Sequence, residues 1–245
     1  MSKLILTFAL LFSSFTAHAY TLVWTTPGFK GWQTNEIKLT FNPANCPNGV
    51  NVRGLIEDSI ALWNSISNSG LKLVLDEDTS ATTRGYPIPI ICDTNYASGG
   101  PAQDSSPGVA STAPGSGEYI TSALISLNAS AGNANIARLS LDKVKVVLAH
   151  EMGHAIGLGH SQDMDALMYY NVAYKTNFTL GQDDIDGIAY LYPRNELGKD
   201  PMLGGCGTVH SMTLPKPPSA GQMIALLFLM LLPLAVAQRL KTAKR

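Results

Sequence analysis

The stretch HEMGHAIGLGH, residues 150 to 160, places three histidines and one glutamate at fixed spacings. Residues four apart share one face of an α-helix, so His150 and His154 point the same way, at a separation that one metal ion can bridge. Glu151 lies about 100° further round the helix, where it can reach a water molecule on the metal without being a close ligand. The spacing therefore predicts a metal site built on a helix.

The third histidine, His160, lies beyond helical reach of the other two unless the chain turns sharply. Gly157 can supply that turn, because glycine adopts backbone conformations that other residues rarely do. Three histidines with an open fourth position are typical of a catalytic zinc site, whereas a structural site uses four protein ligands. The chain has five histidines in all, and the other two, His18 and His210, lie near its ends.

Hydrophobic periodicity indicates a mixture of helices and strands around this motif. Residues 52–67 carry apolar side chains at helical spacing, whereas EIKLTF (36–41) and LKLVL (71–75) alternate as half-buried strands do. Two prolines in YPIPIIC (86–92) predict either an edge strand or an irregular first half. This order of elements predicts an α+β fold. The other predicted elements are strands at 108–113 and 123–128, a helix that begins after Ser140 with Asp142 in its first turn and ends at Gly157, and a last helix at about 182–192.

The N-terminal end resembles an export signal. Residues 1–19 combine an early lysine, a short apolar run and an Ala-His-Ala cleavage site, which together predict a secretory signal peptide. The alternative, a membrane anchor, is disfavoured because the apolar run is too short to span the hydrocarbon core. We therefore expect the folded domain to occupy residues 20–195.

The C-terminal end divides into three segments. A Gly- and Pro-rich linker (196–219) precedes an apolar segment (220–237) and a basic tail (238–245) that would remain cytoplasmic. The apolar segment predicts contact with the membrane, either as a stable transmembrane anchor or as part of a sorting signal that is removed after export. We thus expect a protein held at the cell surface, anchored in the membrane or released outside the cell.

Net charge and cysteine content limit which partners and which cellular compartment we expect for the protein. A formal net charge of −1 gives no reason to expect nucleic acid, and we expect a monomer. In an oxidising compartment Cys46 and Cys92, both in the domain, are expected to form a disulfide. Cys206 is left over in the linker, which predicts a modification, an intermolecular bond or a free thiol.

The motif is similar to the signature of the metzincin zinc proteases, whose partner is a methionine turn. Here ALMY follows the third histidine, so Met168 matches that methionine. Ser161 and LGQDDIDGIAYLY (180–192) resemble the matrixins, the matrix-metalloprotease-like branch, in a bacterial-type secreted form. The resemblance runs from about Gln33 to Tyr192 and is strongest from Val146 onward. It implies a zincin-like domain whose twisted, mostly parallel five-stranded sheet carries an active-site helix and a C-terminal helix.

The resemblance also implies a function. His150, His154 and His160 would bind one catalytic zinc, Glu151 would act as general base, and Met168 would form an apolar floor beneath the metal. A protein or peptide substrate would be cleaved while extended along the edge of the sheet. The residues of that edge strand are Gly108, Val109, Ala110 and Ser111.

Several features depart from the family pattern. We expect no prodomain, no cysteine switch and no second zinc, while calcium remains open. Tyr170 stands two residues after Met168, where matrixins commonly have proline. It is either an extra zinc ligand or oxyanion stabiliser, as in related families, or a wall of the specificity pocket, which residues 171–180 are expected to shape.

A second class of function is a zinc-containing surface protein that binds peptides or mediates adhesion without cutting. Glu151 argues against this alternative, because a binding module needs no base beside its metal ligands.

Overall fold

A computed structural model describes residues 20–96, 105–115 and 118–194 of the chain. Five strands and three α-helices follow one another in the predicted order. The strands are β1 (Glu36–Asn42), β2 (Lys72–Leu75), β3 (Ile88–Asp93), β4 (Gly108–Pro114) and β5 (Ile120–Asn128), and the helices are α1 (Val52–Asn64), α2 (Leu141–Ala155) and α3 (Gln182–Leu191). Short 3₁₀ turns occur at Ile136–Arg138 and Val172–Tyr174.

The strands form one sheet in the order β2-β1-β3-β5-β4. Three pairs of neighbouring strands are parallel: β1 with β2, β1 with β3, and β3 with β5. At the edge of the sheet, β4 pairs antiparallel with β5. This mostly parallel five-stranded sheet, together with the helices, confirms the predicted α+β fold.

The proline-containing strand β3 lies in the middle of the sheet, so the prediction that its prolines mark an edge is wrong. The alternative, an irregular first half, agrees with the start of β3 at Ile88, two residues after the predicted start. Pro89 lies opposite Thr40 in the ladder with β1, whereas pairing with β5 begins only at the next residue, Ile90, opposite Ile125. The missing N–H of Pro89 therefore removes no bond from the ladder with β5.

Helices α1 and α2 contact each other, and α2 also packs against β4 and β5. Trp63 joins the two helices, because its indole N–H donates to the carbonyl of Ala149 at 3.0 Å. Helix α1 stops three residues before its predicted end. There the backbone N–H and the hydroxyl of Ser65 both donate to the carbonyl of Leu62 and close the last turn.

Cys46 and Cys92 form a disulfide with a Cα–Cα distance of 5.0 Å. It ties the segment after β1 to the end of β3, on the central part of the sheet. The predicted signal peptide, the predicted linker with Cys206, the apolar segment and the basic tail lie outside the described residues. Among the residues that are described, no helix is both long and apolar enough to cross a membrane.

Candidate metal centre

Helix α2 carries the first two histidines and is capped at both ends. The Ser140 hydroxyl accepts from the N–H of Lys143, as an N-cap side chain does. At the other end, the carbonyl of Ala155 accepts from the indole of Trp32 at 2.9 Å. The next carbonyl, that of Ile156, accepts from the hydroxyl of Tyr192 at 2.6 Å. The end of the helix is therefore fixed by side chains from distant parts of the chain.

The chain reverses direction directly after α2. Gly157 has a φ of 113°, a region that favours glycine, as the sharp turn requires. The turn brings His160 back, so that the side-chain nitrogens of His150, His154 and His160 all lie within 4.8 Å of one another. The Nε2 atoms of His154 and His160 are 3.2 Å apart. The structure thus brings together the three histidines that the spacing predicted.

The rings of His150 and His154 are oriented by backbone carbonyls. The Nδ1 atom of His150 lies 2.8 Å from the carbonyl of Leu167, and the Nδ1 atom of His154 lies 2.8 Å from the carbonyl of Leu158. A carbonyl can only accept, so in each neutral ring Nδ1 carries the proton and Nε2 keeps its lone pair. This arrangement is typical of metal-ligating histidines.

Burial keeps these rings in the form that binds metal. It lowers the pKa of His150 to about 3, assisted by the nearby His154, and it lowers the pKa of His154 to about 4. Burial also lowers the pKa of His160. Neutral imidazoles with a free Nε2 are good zinc ligands, so the donor set fits a three-histidine zinc site with an open coordination position.

The loop that carries His160 is held by the first described residues of the domain. The N–H of Val23 donates to the carbonyl of Gly157 at 2.9 Å, and the N–H of Gly159 donates to the carbonyl of Thr21 at 2.8 Å. The Thr21 hydroxyl donates to the carbonyl of His160 at 2.5 Å. Sequence reasoning missed this role, because a short extended segment has no periodicity that reveals its partner.

Glu151 lies beside the histidines, with only 6% of its surface exposed. Its carboxylate accepts from the N–H of Ala110 in strand β4 at 2.7 Å. Burial raises the pKa of Glu151 to about 7, opposed by that hydrogen bond. Together with His154, His160 and the start of β4, Glu151 lines a cleft of about 580 Å³, called here the metal cleft.

Strand β4 approaches α2 closely because its first residue is glycine. A Cβ on Gly108 would lie 2.9 Å from the side chain of Val147 and 3.0 Å from the Cγ of Glu151. A larger residue would therefore push the strand or the carboxylate aside. The small side chain places the edge of the sheet next to Glu151.

Met168 lies beneath the helix, with 2% of its surface exposed. A Cβ on Gly153 would lie 2.3 Å from the sulfur of Met168 and 2.9 Å from the ring of Trp63. Glycine inside a helix costs about 1 kcal/mol relative to alanine, so Gly153 lowers the stability of the helix. Its missing side chain leaves the space that the methionine occupies. The sequence interpretation found Met168 but not this partner.

The turn around Met168 is anchored by one buried carboxylate. Asp184, in the first turn of α3, accepts from the N–H groups of Leu167 at 2.6 Å, Met168 at 3.0 Å and Gly181 at 2.7 Å. Burial raises the pKa of Asp184, and these hydrogen bonds oppose the rise. The same helix reaches the His160 loop through Asp183, which accepts from the Ser161 hydroxyl at 2.5 Å. Helix α3 thus positions both the third histidine and the methionine turn.

Comparison with known proteins agrees with this geometry. The family model described as Matrixin matches residues 31–193, most of the described chain. The chain belongs to the matrixin family.

This matrixin is also similar to collagenases over a short stretch. It is 54% identical to interstitial collagenase of Sus scrofa over 50 residues, which cover 20% of this chain and 11% of that protein. It is 55% identical to neutrophil collagenase of Homo sapiens over 49 residues, which cover 19% and 10% of the two chains. For the 72 kDa type IV collagenase of Gallus gallus the identity is 57% over 47 residues, covering 19% and 7%. The chain therefore spans about a tenth of the length of the relatives it matches.

In this matrixin Tyr170 is 52% exposed and lies beside a second cavity of about 820 Å³, called here the side pocket. Asn171, Val172 and Ala173 line the same pocket. Tyr170 does not line the metal cleft. Tyr170 and the beginning of the 171–180 loop therefore line one cavity, and its identity as the specificity pocket stays a prediction. A role of Tyr170 as zinc ligand or oxyanion stabiliser stays a prediction.

Proposed function

We propose that this matrixin is an exported, zinc-dependent endopeptidase that hydrolyses peptide bonds of extended protein substrates. The observation that carries the proposal is the contact between a buried glutamate and a strand edge, next to three converging imidazoles. Glu151, His154 and His160 share one cleft with the first residues of β4. A site for peptide hydrolysis by a metal needs metal ligands, a base and a surface that holds the peptide, and candidates for all three lie together here.

His150, His154 and His160 would hold one zinc ion. When bound there, zinc would act as a Lewis acid, which polarises a carbonyl and lowers the pKa of a bound water towards about 7. The protein keeps the three rings neutral by burial and fixes two of them through their Nδ1 atoms. Burial and these contacts therefore preorganise the three histidines for metal binding.

Glu151 would transfer the protons. Its carboxylate accepts a proton from the attacking water and then gives that proton to the nitrogen of the leaving amine. A general base works best when its pKa lies near the working pH, and burial raises the pKa of Glu151 to about 7. Water is excluded from most of the carboxylate, which therefore faces little competition for hydrogen bonds.

Strand β4 would bind the substrate backbone. It lies at the edge of the sheet, and an extended peptide can pair with such an edge by strand addition. The N–H of Ala110 already contacts Glu151, so a peptide along Gly108, Val109, Ala110 and Ser111 would pass directly over the base. This placement favours extended or locally unfolded protein segments over folded domains.

The Cys46–Cys92 disulfide supports export, because disulfides persist in oxidising compartments. We propose that residues 1–19 direct this export, and that residues 220–245 either anchor the protein or are removed during surface sorting. The intact mass of the protein recovered from cells distinguishes these two fates. A mass that still includes Arg245 would exclude removal.

The alternative is a zinc-containing protein that binds peptides without cutting. Burial of a carboxylate is costly unless it is compensated, and Glu151 has a single backbone donor as its described partner. Such a cost is understandable for a catalytic base and has no purpose in a binding module. We therefore favour the enzyme.

Cleavage of an unfolded test protein by the full chain with zinc tests the proposal. We expect fragments from the wild-type protein and at least about 100-fold slower cleavage by Glu151→Ala. Glu57→Ala, an exposed glutamate on α1, is the matched control and should cleave like the wild type. Failure of the wild type to cut while it holds one zinc would contradict the enzyme and favour peptide binding.

A further inference from the structure

The side pocket lies next to the metal cleft, and a lysine is among the residues that line the side pocket. Ser106 lines both cavities, so they lie side by side. Lys143 lines the side pocket and precedes His150 by seven residues, which is about two turns, so both lie on one face of α2. The Lys143 ammonium is close enough to contribute to the lowered pKa of His150, after burial and the other histidines. A substrate side chain next to the scissile bond would thus enter a pocket that contains a cation.

Among the described residues, no carboxylate pairs with Lys143. Its ammonium donates to the backbone carbonyls of Val172 and, at 3.2 Å, Lys175. Within the described ranges it forms no ion pair, and the residues that line the side pocket include no aspartate or glutamate. By contrast, Lys145 on the same helix pairs with Asp58 at 2.7 Å.

The half-buried position of Lys143 is costly for its charge, and burial lowers its pKa. Two carbonyl dipoles offset part of this cost, but an ammonium has three donors, and one remains available for a third partner. A carboxylate at this point would form a charge-assisted hydrogen bond, which is about twice as strong as a neutral one. An acidic side chain of a bound substrate would supply such a carboxylate.

We propose that the side pocket selects substrates with an acidic side chain beside the scissile bond, and that Lys143 determines this preference. The inference rests on the proposed peptidase function. Glutamate is the first residue to test, because its carboxylate reaches further from the backbone than that of aspartate. Lys143 acts here as a specificity residue and takes no part in the bond-breaking steps.

A purely structural role of Lys143 predicts a different result. If its ammonium only holds the Val172–Lys175 turn in place, loss of the charge would weaken cleavage of all peptides alike. If it binds a substrate carboxylate, loss of the charge would affect acidic peptides alone. Glutamate and glutamine have the same shape, so the ratio of their kcat/KM values separates the two roles.

The experiment begins with the zinc-loaded full chain and a mixture of peptides of varied sequence, whose cleavage sites are read by mass spectrometry. We expect glutamate or aspartate to be enriched on one side of the cut bond. Matched peptides with glutamate or glutamine at that position should differ about tenfold in kcat/KM. Cleavage without such enrichment would overturn this inference alone, whereas absence of any cleavage would overturn the proposed function as well.

Three variants complete the test, each checked for a wild-type thermal unfolding temperature. Lys143→Met should reduce the glutamate-to-glutamine ratio to about one, and Lys143→Arg should keep it well above one. Lys145→Met, two residues away with its ammonium on Asp58, is the matched control and should keep the wild-type ratio. A full ratio in Lys143→Met would contradict the assignment.

Discussion

Helix α2 and the coil from Ile156 to Tyr170 carry the two halves of the metal centre, and they are stabilised in different ways. The helix supplies His150, His154 and Glu151, and its other buried residues are mainly apolar. The coil supplies His160 and Met168, and it has no helical or strand ladder to satisfy its backbone.

The coil is held by isolated backbone hydrogen bonds, such as that from Val23 to Gly157, and by polar side chains from elsewhere. Asp184 binds the methionine turn, Asp183 binds Ser161, and the hydroxyl of Tyr192 binds the carbonyl of Ile156. Buried backbone groups must find partners, and where no ladder exists side chains provide them. We therefore expect that removal of a polar side chain beneath the coil lowers the free energy of unfolding strongly. Removal of one on a helix surface should lower it little, although both regions build one site.

The largest effect is expected at Asp184. Asp184→Ala would leave the N–H groups of Leu167, Met168 and Gly181 unpaired, each at a cost of about 1–3 kcal/mol. We expect the free energy of unfolding, measured with urea, to fall by at least about 3 kcal/mol.

Two further variants make this prediction specific. Asp184→Asn keeps one acceptor oxygen and should lose less stability than Asp184→Ala. Asp186→Ala, which changes an exposed aspartate of the same helix that accepts from Gln182, should change stability by no more than about 0.5 kcal/mol. Equal effects of Asp184→Ala and Asp186→Ala would contradict the role given to the buried carboxylate.

The next loss of stability is expected at Gly153, where helix α2 contacts the coil. Gly153→Ala would put a methyl group 2.3 Å from the sulfur of Met168, although alanine is the better helix former. Overpacking costs about 1–3 kcal/mol, so we expect a net loss of stability despite the gain in helix propensity of about 1 kcal/mol. Thermal unfolding measures it. Gly49→Ala, which has open space around it, is the control, and a stabilised Gly153→Ala would refute the close packing.

An effect of similar size is expected at Ser161. Its hydroxyl donates to Asp183 and accepts from the N–H of Asp163 at 2.9 Å, both in the buried base of the coil. Ser161→Ala should cost about 1–3 kcal/mol, because it leaves polar groups unsatisfied. Ser65→Ala, which removes an exposed hydroxyl bonded to Leu62 at the end of α1, should cost no more than about 0.5 kcal/mol. Equal losses of unfolding free energy in urea for the two variants would contradict the proposed difference between coil and helix.

The same contrast explains what the sequence predicts well. Helices and strands show periodicity, so their order and the α+β class follow from apolar spacing alone. Their ends are less accurate: β5 begins at Ile120 instead of 123, and α1 ends at Asn64 instead of 67. Ends depend on caps and neighbours, such as the bond from Ser65 to Leu62, which periodicity does not contain.

The metal ligands are predictable because their spacing is local. His150 and His154 need only a helix, and His160 needs only the turn at Gly157. The contacts made by Gly153, Asp184 and Lys143 depend on residues far away in the chain, so no local pattern reveals them. Gly153 is nevertheless unusual as a helix-interior glycine, and that cost is a signal that close packing was needed there.

The most direct test of the central claim is zinc titration of the metal-free full chain while peptide cleavage is followed in the same sample. The account predicts that cleavage rises with added zinc and reaches its plateau at one zinc per chain. Glu151→Gln should take up the same single zinc and cut at least about 100-fold more slowly. Cleavage by Glu151→Gln at the wild-type rate, or by the wild type without any zinc, would contradict a three-histidine centre with Glu151 as its base.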